Sequence, residues 1–282
     1  MCNIRKVLRV FIVQFRQEFF CIRTAVIFLI MGIFIYSSLE PVAAMVHEFG
    51  IYASPTAFVH IMNDHICQIV LTIGMVFLYS TAPFRRDSFS YIVYRCGQRN
   101  WECGNILYLF VCSFFYTLFI LFASIAALKG EQDFSVHGWG KIWGTLARTN
   151  VSVRFGIKLN VSNYLLGKYE PEEAVPVTFF LVWASFFFIG LVVYIFNLHI
   201  KRGSGIVLAG IFVFLDTMIY NSWTPWAYRI SPLTLAKLTT YTNSRQHYGL
   251  TLTYAWIFMA AGIFIMCFMI FALAGKEEKG YE

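Results

Sequence analysis

The chain has 282 residues, 59% of them hydrophobic and only 13% charged, with a formal net charge of +7. Soluble domains carry about a quarter charged residues, so this composition excludes an ordinary water-soluble fold and indicates a polytopic membrane protein. The positive balance then reads as an orientation signal and not as affinity for nucleic acid.

In chain order, Ile4, Leu8, Phe11, Phe15, Phe19 and Ile22 recur at steps of three and four, while Arg5, Arg9, Arg16 and Arg23 form a ridge beside them. This spacing predicts an amphipathic interfacial helix over residues 1–23, lying along the membrane surface. Val42-Ala43-Ala44 resembles a signal-peptidase site, but the charged stretch before the apolar run is too long for a signal peptide, and further spans follow.

Charge-free intervals separate Arg23 from Glu40, Asp64 from Arg85, Glu102 from Lys129, Glu173 from Lys201, and Arg245 from Lys276. Each is long enough to cross a bilayer, the first only just. The apolar run Gly203 to Tyr228, interrupted by Asp216, is a further crossing and the fifth in order, which makes six transmembrane helices in an all-α polytopic membrane protein. Lysines and arginines concentrate in alternate connections: the N-terminal segment, Arg85 to Arg99, Lys201 with Arg202, and Lys276 with Lys279. Both termini are therefore expected in the cytoplasm of a multi-pass cell-membrane protein, bacterial in origin.

Between the second and third spans, residues 85–102 form a basic island that includes Arg85, Arg86, Tyr91, Tyr94, Arg95, Arg99 and Trp101. Read as a short helix it places Arg95 and Arg99 four apart on one face, and Gly97 breaks the run before apolar sequence resumes at Trp101. Such a segment suits lipid headgroups and a soluble partner; a solvated loop whose arginines only fix orientation is the plainer alternative. The long outer segment, 129–175, contains Trp139 and Trp143 and a mixed run suited to short amphipathic helices. Its two N-x-S triplets, at Asn150 and Asn160, are taken as chance. Residues 221–243 carry Pro225 and Pro232 among Trp223, Trp226 and Tyr228, which predicts an outer re-entrant segment between spans five and six.

Few residues suggest chemistry. The seven cysteines show no paired spacing for a metal, and His60, Asp64 and His65, with His47 and Glu48 before them, read as a polar boundary more readily than as a metal site. There is no P-loop and no hydrolase motif, so an enzyme is not expected, and no cofactor is expected on this chain. Asp216 stands out, because a carboxylate inside an apolar run must face a cavity, find a partner or stay protonated. Near the outer interface, a backbone donor or Arg229 would satisfy it. The functional reading sets it in a pathway with Gln68, Trp223 and Trp226 as further candidates.

Together, the basic amphipathic N-terminal helix, six spans, the loop R-R-D-S-F-S-Y-I-V-Y-R-C-G-Q-R-N-W and the outer I-S-P-L-T before the last span resemble type-2 ATP-binding-cassette (ABC) permeases over the whole chain. The resemblance implies that residues 85–102 are the coupling segment docking on a separate ABC ATPase subunit, which binds the ATP. It also implies a second permease chain, as homodimer or heterodimer, and export as the direction. The outer segment from Lys129 is long for that family and the link from His199 to Ser204 short. A non-transporting membrane sensor or immunity protein that binds a peptide at its outer segment is the rival reading, and an intramembrane enzyme a distant third.

Overall fold

The computed structural model describes residues 3–84, 89–200, 203–222, 225–242 and 249–279. Arg85, Arg86 and Trp223 lie outside these. Among the described residues there is no β-strand, and one isolated bridge joins Ala53 to Gln132. Among the described residues four helices are long and apolar enough to cross a membrane: α2 (Ile22–Phe49), α6 (Gln98–Ala127), α10 (Pro171–His199) and α13 (Leu252–Lys279). The pair α3 (Ala57–Asn63) and α4 (His65–Leu78) would make a fifth if taken as one span, and α11 (Ser204–Tyr220) is a shorter apolar helix. The protein is thus an all-α, multi-pass membrane protein.

Alpha-helix α10 is its core, with an unbroken buried run from Ser185 to Ile195. Such all-round apolarity is tolerable only where neighbours or lipid cover every face. Helix α6 lies against α2, α10 and α13. On the periphery Leu29, Ile30 and Ile33 of α2 and Ile257, Phe264 and Phe268 of α13 are exposed, an apolar shell that suits hydrocarbon and not water.

Several sequence expectations are refined. The interfacial helix is not continuous over 1–23: α1 covers Ile4–Gln14, a π-helical turn covers Phe15–Phe19, and the chain turns at Phe20 and Cys21. The apolar stripe divides as well. Val10, Gln14 and Glu18 are buried, with Phe11, Phe15 and Phe19 packed on the core, whereas Ile4, Leu8 and Ile12 are exposed. The inward turn of Glu18 accompanies this break, since its carboxylate meets Arg23 at 3.1 Å and accepts from Thr81 at 3.0 Å. Helix α2 also runs past Glu40 and Pro41 to Gly50, whose φ of +62° closes it.

The second interval holds only the fourteen residues of α4, because α3 meets it at 87°. Asp64 sits at that corner, one oxygen accepting from Cys67 N at 2.9 Å and the other from Asn160 N at 3.1 Å. The first bond caps α4 and the second ties the corner to the outer segment. That segment folds into α7 (Gly140–Arg148), α8 (Val151–Phe155) and α9 (Asn163–Lys168). The indoles hold it down: Trp139 donates to Tyr169 O at 2.8 Å and Trp143 to Ser54 O at 3.0 Å. We name this the cap end, and the opposite end, where α5 (Phe89–Cys96) precedes α6, the elbow end.

Helices α10 and α11 form a tight hairpin. A Cβ on Gly205 would stand 2.3 Å from the Val193 carbonyl oxygen, so only glycine allows this approach. Asn197 completes the corner by accepting from Gly203 N at 3.0 Å and Gly205 N at 2.8 Å while donating to Ala82 O at 3.0 Å.

Candidate functional site

Helix α11 carries Asp216 one turn before its end at Tyr220, and the chain after it folds back in short turns. These are a 3-10 turn at Pro225–Arg229, α12 (Pro232–Leu235) and a second 3-10 turn at Leu238–Tyr241. Pro232 opens α12, where its missing N–H costs nothing, and the Ser231 hydroxyl accepts from Thr234 N. Residues 231–238 are all buried, so this return segment packs inside the bundle.

The fold brings three donors onto Asp216. Lys237 Nζ lies 2.8 Å from Oδ2, His65 Nδ1 lies 3.1 Å from the same oxygen, and the Thr234 hydroxyl donates to Oδ1 at 2.6 Å. Their side chains are nearly enclosed, 1% exposed for Asp216, 9% for Lys237 and 10% for His65. The His65 ring stacks on Tyr220 with centroids 4.1 Å apart and planes 2° apart. A carboxylate this deep persists because an ammonium and two further donors replace its water.

These groups floor a cavity of about 390 Å³ at the cap end, within the range of small-molecule sites. Its mouth is formed by Asn160, Asn163 and Tyr164 from the cap and by Tyr220.

Of the described pathway candidates, Asp216 lines this cavity and Gln68 and Trp226 do not. Gln68 is buried one turn below His65 and donates to Leu233 O at 2.8 Å, so it fastens α4 to the return segment. Trp226 is 65% exposed and Arg229 is exposed, with its carbonyl accepting from Tyr254. Lys237, and the pairing of His65 with Asp216, are what sequence reasoning missed, His65 having been read only as part of a polar boundary. The signal for Lys237 was a lysine between prolines and threonines in the segment read as outer and re-entrant, and for His65 a histidine directly after a helix-capping aspartate.

A second cluster lies at the elbow end. Gly97, with φ of +85°, separates α5 from α6, so that α5 folds back over Trp101. Trp101, at 2% exposure, packs with Val10 and Cys96, and Ile92 and Val93 cover them. Burial pushes the Cys96 thiol up. The opposite face of α5 presents Tyr91, Tyr94 and Arg95 outward, with the Arg95 guanidinium 5.0 Å from the Tyr91 ring centre; Arg99, at the start of α6, is exposed as well. Helix α1 is fixed to this elbow. Asn3 N donates to Asn100 Oδ1 at 2.7 Å, Lys6 Nζ to Arg95 O at 3.4 Å, and Asn100 Nδ2 to Cys96 O at 2.6 Å. A Cβ on Gly104 would meet the Val10 side chain at 2.5 Å, so α1 lies directly on α6.

No family model, curated protein or solved structure matches this chain.

Proposed function

We propose that this chain is the permease subunit of a type-2 ABC exporter, crossing the cell membrane six times with both termini and the elbow in the cytoplasm and the cap outside. The observation that carries the reading is the elbow itself, where an eight-residue helix turns two tyrosines and an arginine outward while its other face is pinned to α1 and α6. In this reading α5 seats on a separate ATPase subunit, which supplies ATP binding and hydrolysis. This chain then needs no cofactor and no catalytic residue of its own.

Closure of the ATPase pair presses on α5, and α1 moves with it through Asn3, Lys6 and Asn100. Helix α4 carries the motion to the cap end, because it starts at His65 beside Asp216 and ends at Leu78, not far in sequence from the elbow. The bundle tilts against a second permease chain and opens a path between the two, with the residues around Asp216 at its outer end.

The test is affinity purification of the tagged chain in detergent from its own cells. Co-purification of a P-loop ATPase, lost on combined Arg95→Glu and Arg99→Glu substitution while membrane insertion is kept, is the expected outcome. Loss of a desolvated interface charge costs roughly 2–5 kcal/mol, enough to release a partner. An ATPase retained at full hydrolytic rate by the double variant, or absent from the native preparation, would refute the reading.

A further inference from the structure

Asp216 is the only acid among the residues lining the cavity at the cap end, and three protein donors already engage its two oxygens. What the floor still offers is donors. Lys237 has three N–H bonds and one reaches Asp216; His65 Nδ1, 3.4 Å away, donates to Asp216 and so cannot also accept, which leaves the other two without a protein acceptor among the described residues. The side chains of Asn160 and Tyr164 at the mouth are exposed. An ammonium with 9% exposure and an uncommitted N–H is a strong anchor, because bulk water does not compete for it freely.

We propose that this cavity binds a small molecule through a carboxylate, taken by Lys237, while amide or hydroxyl groups on the ligand's body meet Asn160, Tyr164 and the Thr239 hydroxyl. Asp216 is a positioning residue here: it holds the ammonium in place and does not touch the ligand. The bound Asp216 carboxylate leaves the floor with little surplus positive charge, which favours a monoanion over a phosphate dianion. A cavity of about 390 Å³ limits the ligand to small-molecule size. A short peptide with a free carboxyl end and a sugar acid both supply this chemistry. The tyrosines Tyr164 and Tyr220 suit either, by packing on an apolar side chain or on a sugar face. The proposal does not depend on transport and holds equally for a membrane receptor.

The experiment uses the full chain in lipid nanodiscs and reads binding by thermal shift and calorimetry with four probes. These are acetyl-trialanine with a free carboxylate, the same peptide as its amide, trialanine amide with only a free amine, and glucuronate. The carboxylate probes are expected to bind and the two amides not to, with the stronger of acetyl-trialanine and glucuronate naming the ligand class. Asp216→Asn combined with Lys237→Gln keeps a hydrogen-bonded pair but removes the ammonium, and is expected to weaken binding at least tenfold. Should that variant misfold, Asn160→Leu and Thr239→Val at the mouth carry the same test, with a weakening of threefold or more expected. Binding by trialanine amide in place of the carboxylates, no binding by any probe, or carboxylate binding untouched by both the floor and the mouth substitutions would overturn the proposal. Loss of a co-purifying ATPase would leave these outcomes unchanged, which separates this proposal from the permease reading.

Discussion

The ammonium of Lys237 stands 2.8 Å from Oδ2 of Asp216, with both side chains almost fully enclosed. Each charge is tolerated because of the other, so the two residues are expected to fail singly and recover together. Removing one member of a buried pair costs about 3–5 kcal/mol, whereas replacing both by apolar groups of similar volume is close to neutral. Asp216→Leu and Lys237→Met should each lower the melting point in detergent steeply, and the double variant should recover most of the loss. A stable, well-folded Asp216→Leu would mean the carboxylate is a tolerated boundary charge with no structural demand on Lys237.

Membrane topology is checked at two well-exposed positions. With the native cysteines replaced, Tyr94→Cys at the elbow is expected to react with a membrane-impermeant maleimide only from the cytoplasmic side, and Val153→Cys on α8 only from outside. Labelling of both from the same side would remove the six-span arrangement.

The seat of α1 on α6 is tested at Gly104. A side chain there meets Val10 at 2.5 Å and the backbone nitrogen of Phe11 at 3.3 Å, so Gly104→Val should lift α1 at a cost of about 1–3 kcal/mol. The readout is Cys96, which is buried under the same contact and whose thiol burial holds in its protonated, slow form. Its alkylation at neutral pH should be slow in the native chain and several-fold faster in the variant. Equal rates would show that α1 does not shield the elbow.

Gly205 is expected to be the least replaceable glycine. Its neighbour is the Val193 backbone, which cannot rotate away as a side chain can. Gly205→Ala should therefore cost about 3 kcal/mol or more, toward the upper end for overpacking. Asn197→Ala, which strands the N–H groups of Gly203 and Gly205, should cost about 1–3 kcal/mol through the hydrogen bonds alone. Denaturation curves in a fixed detergent compare the two, and a milder effect for Gly205→Ala than for Asn197→Ala would contradict the close approach.

Much of the fold was legible because membrane segments announce themselves by what they lack. The long charge-free intervals map onto α2, α6, α10 and α13, and the glycine at position 97 marks the break before α6. What the sequence did not reveal depends on distance along the chain. Asp216 was visible as an anomaly, but its partner Lys237 sat in a segment read as outer, and His65 lies in the first turn of a helix far upstream. No local pattern links them; only the return of the chain through α12 does. The corner at Asp64 had a helix-cap signature, yet a cap says where a helix starts and not that the preceding helix leaves at 87°. Trp101 was read as the point where apolar sequence resumes after the basic island, but the backward fold of α5 that buries it turns on the geometry of one glycine.

The short reach of α4 has an electrical consequence. At fourteen residues it is about 21 Å long, about a third shorter than the roughly 30 Å hydrocarbon layer of a bilayer. If the elbow faces the cytoplasm, as proposed, and Leu78 lies at the inner boundary, His65 and the cavity floor would sit below the plane where the outer lipid tails begin. In that arrangement a charge that travels from outside water to Lys237 would cross part of the membrane voltage, about 0.7 kcal/mol for each 100 mV if the drop is uniform. An anion arriving from outside would be held more weakly in an energised cell, negative inside, than in a depolarised one, and the occupancy of the cavity would follow the membrane potential.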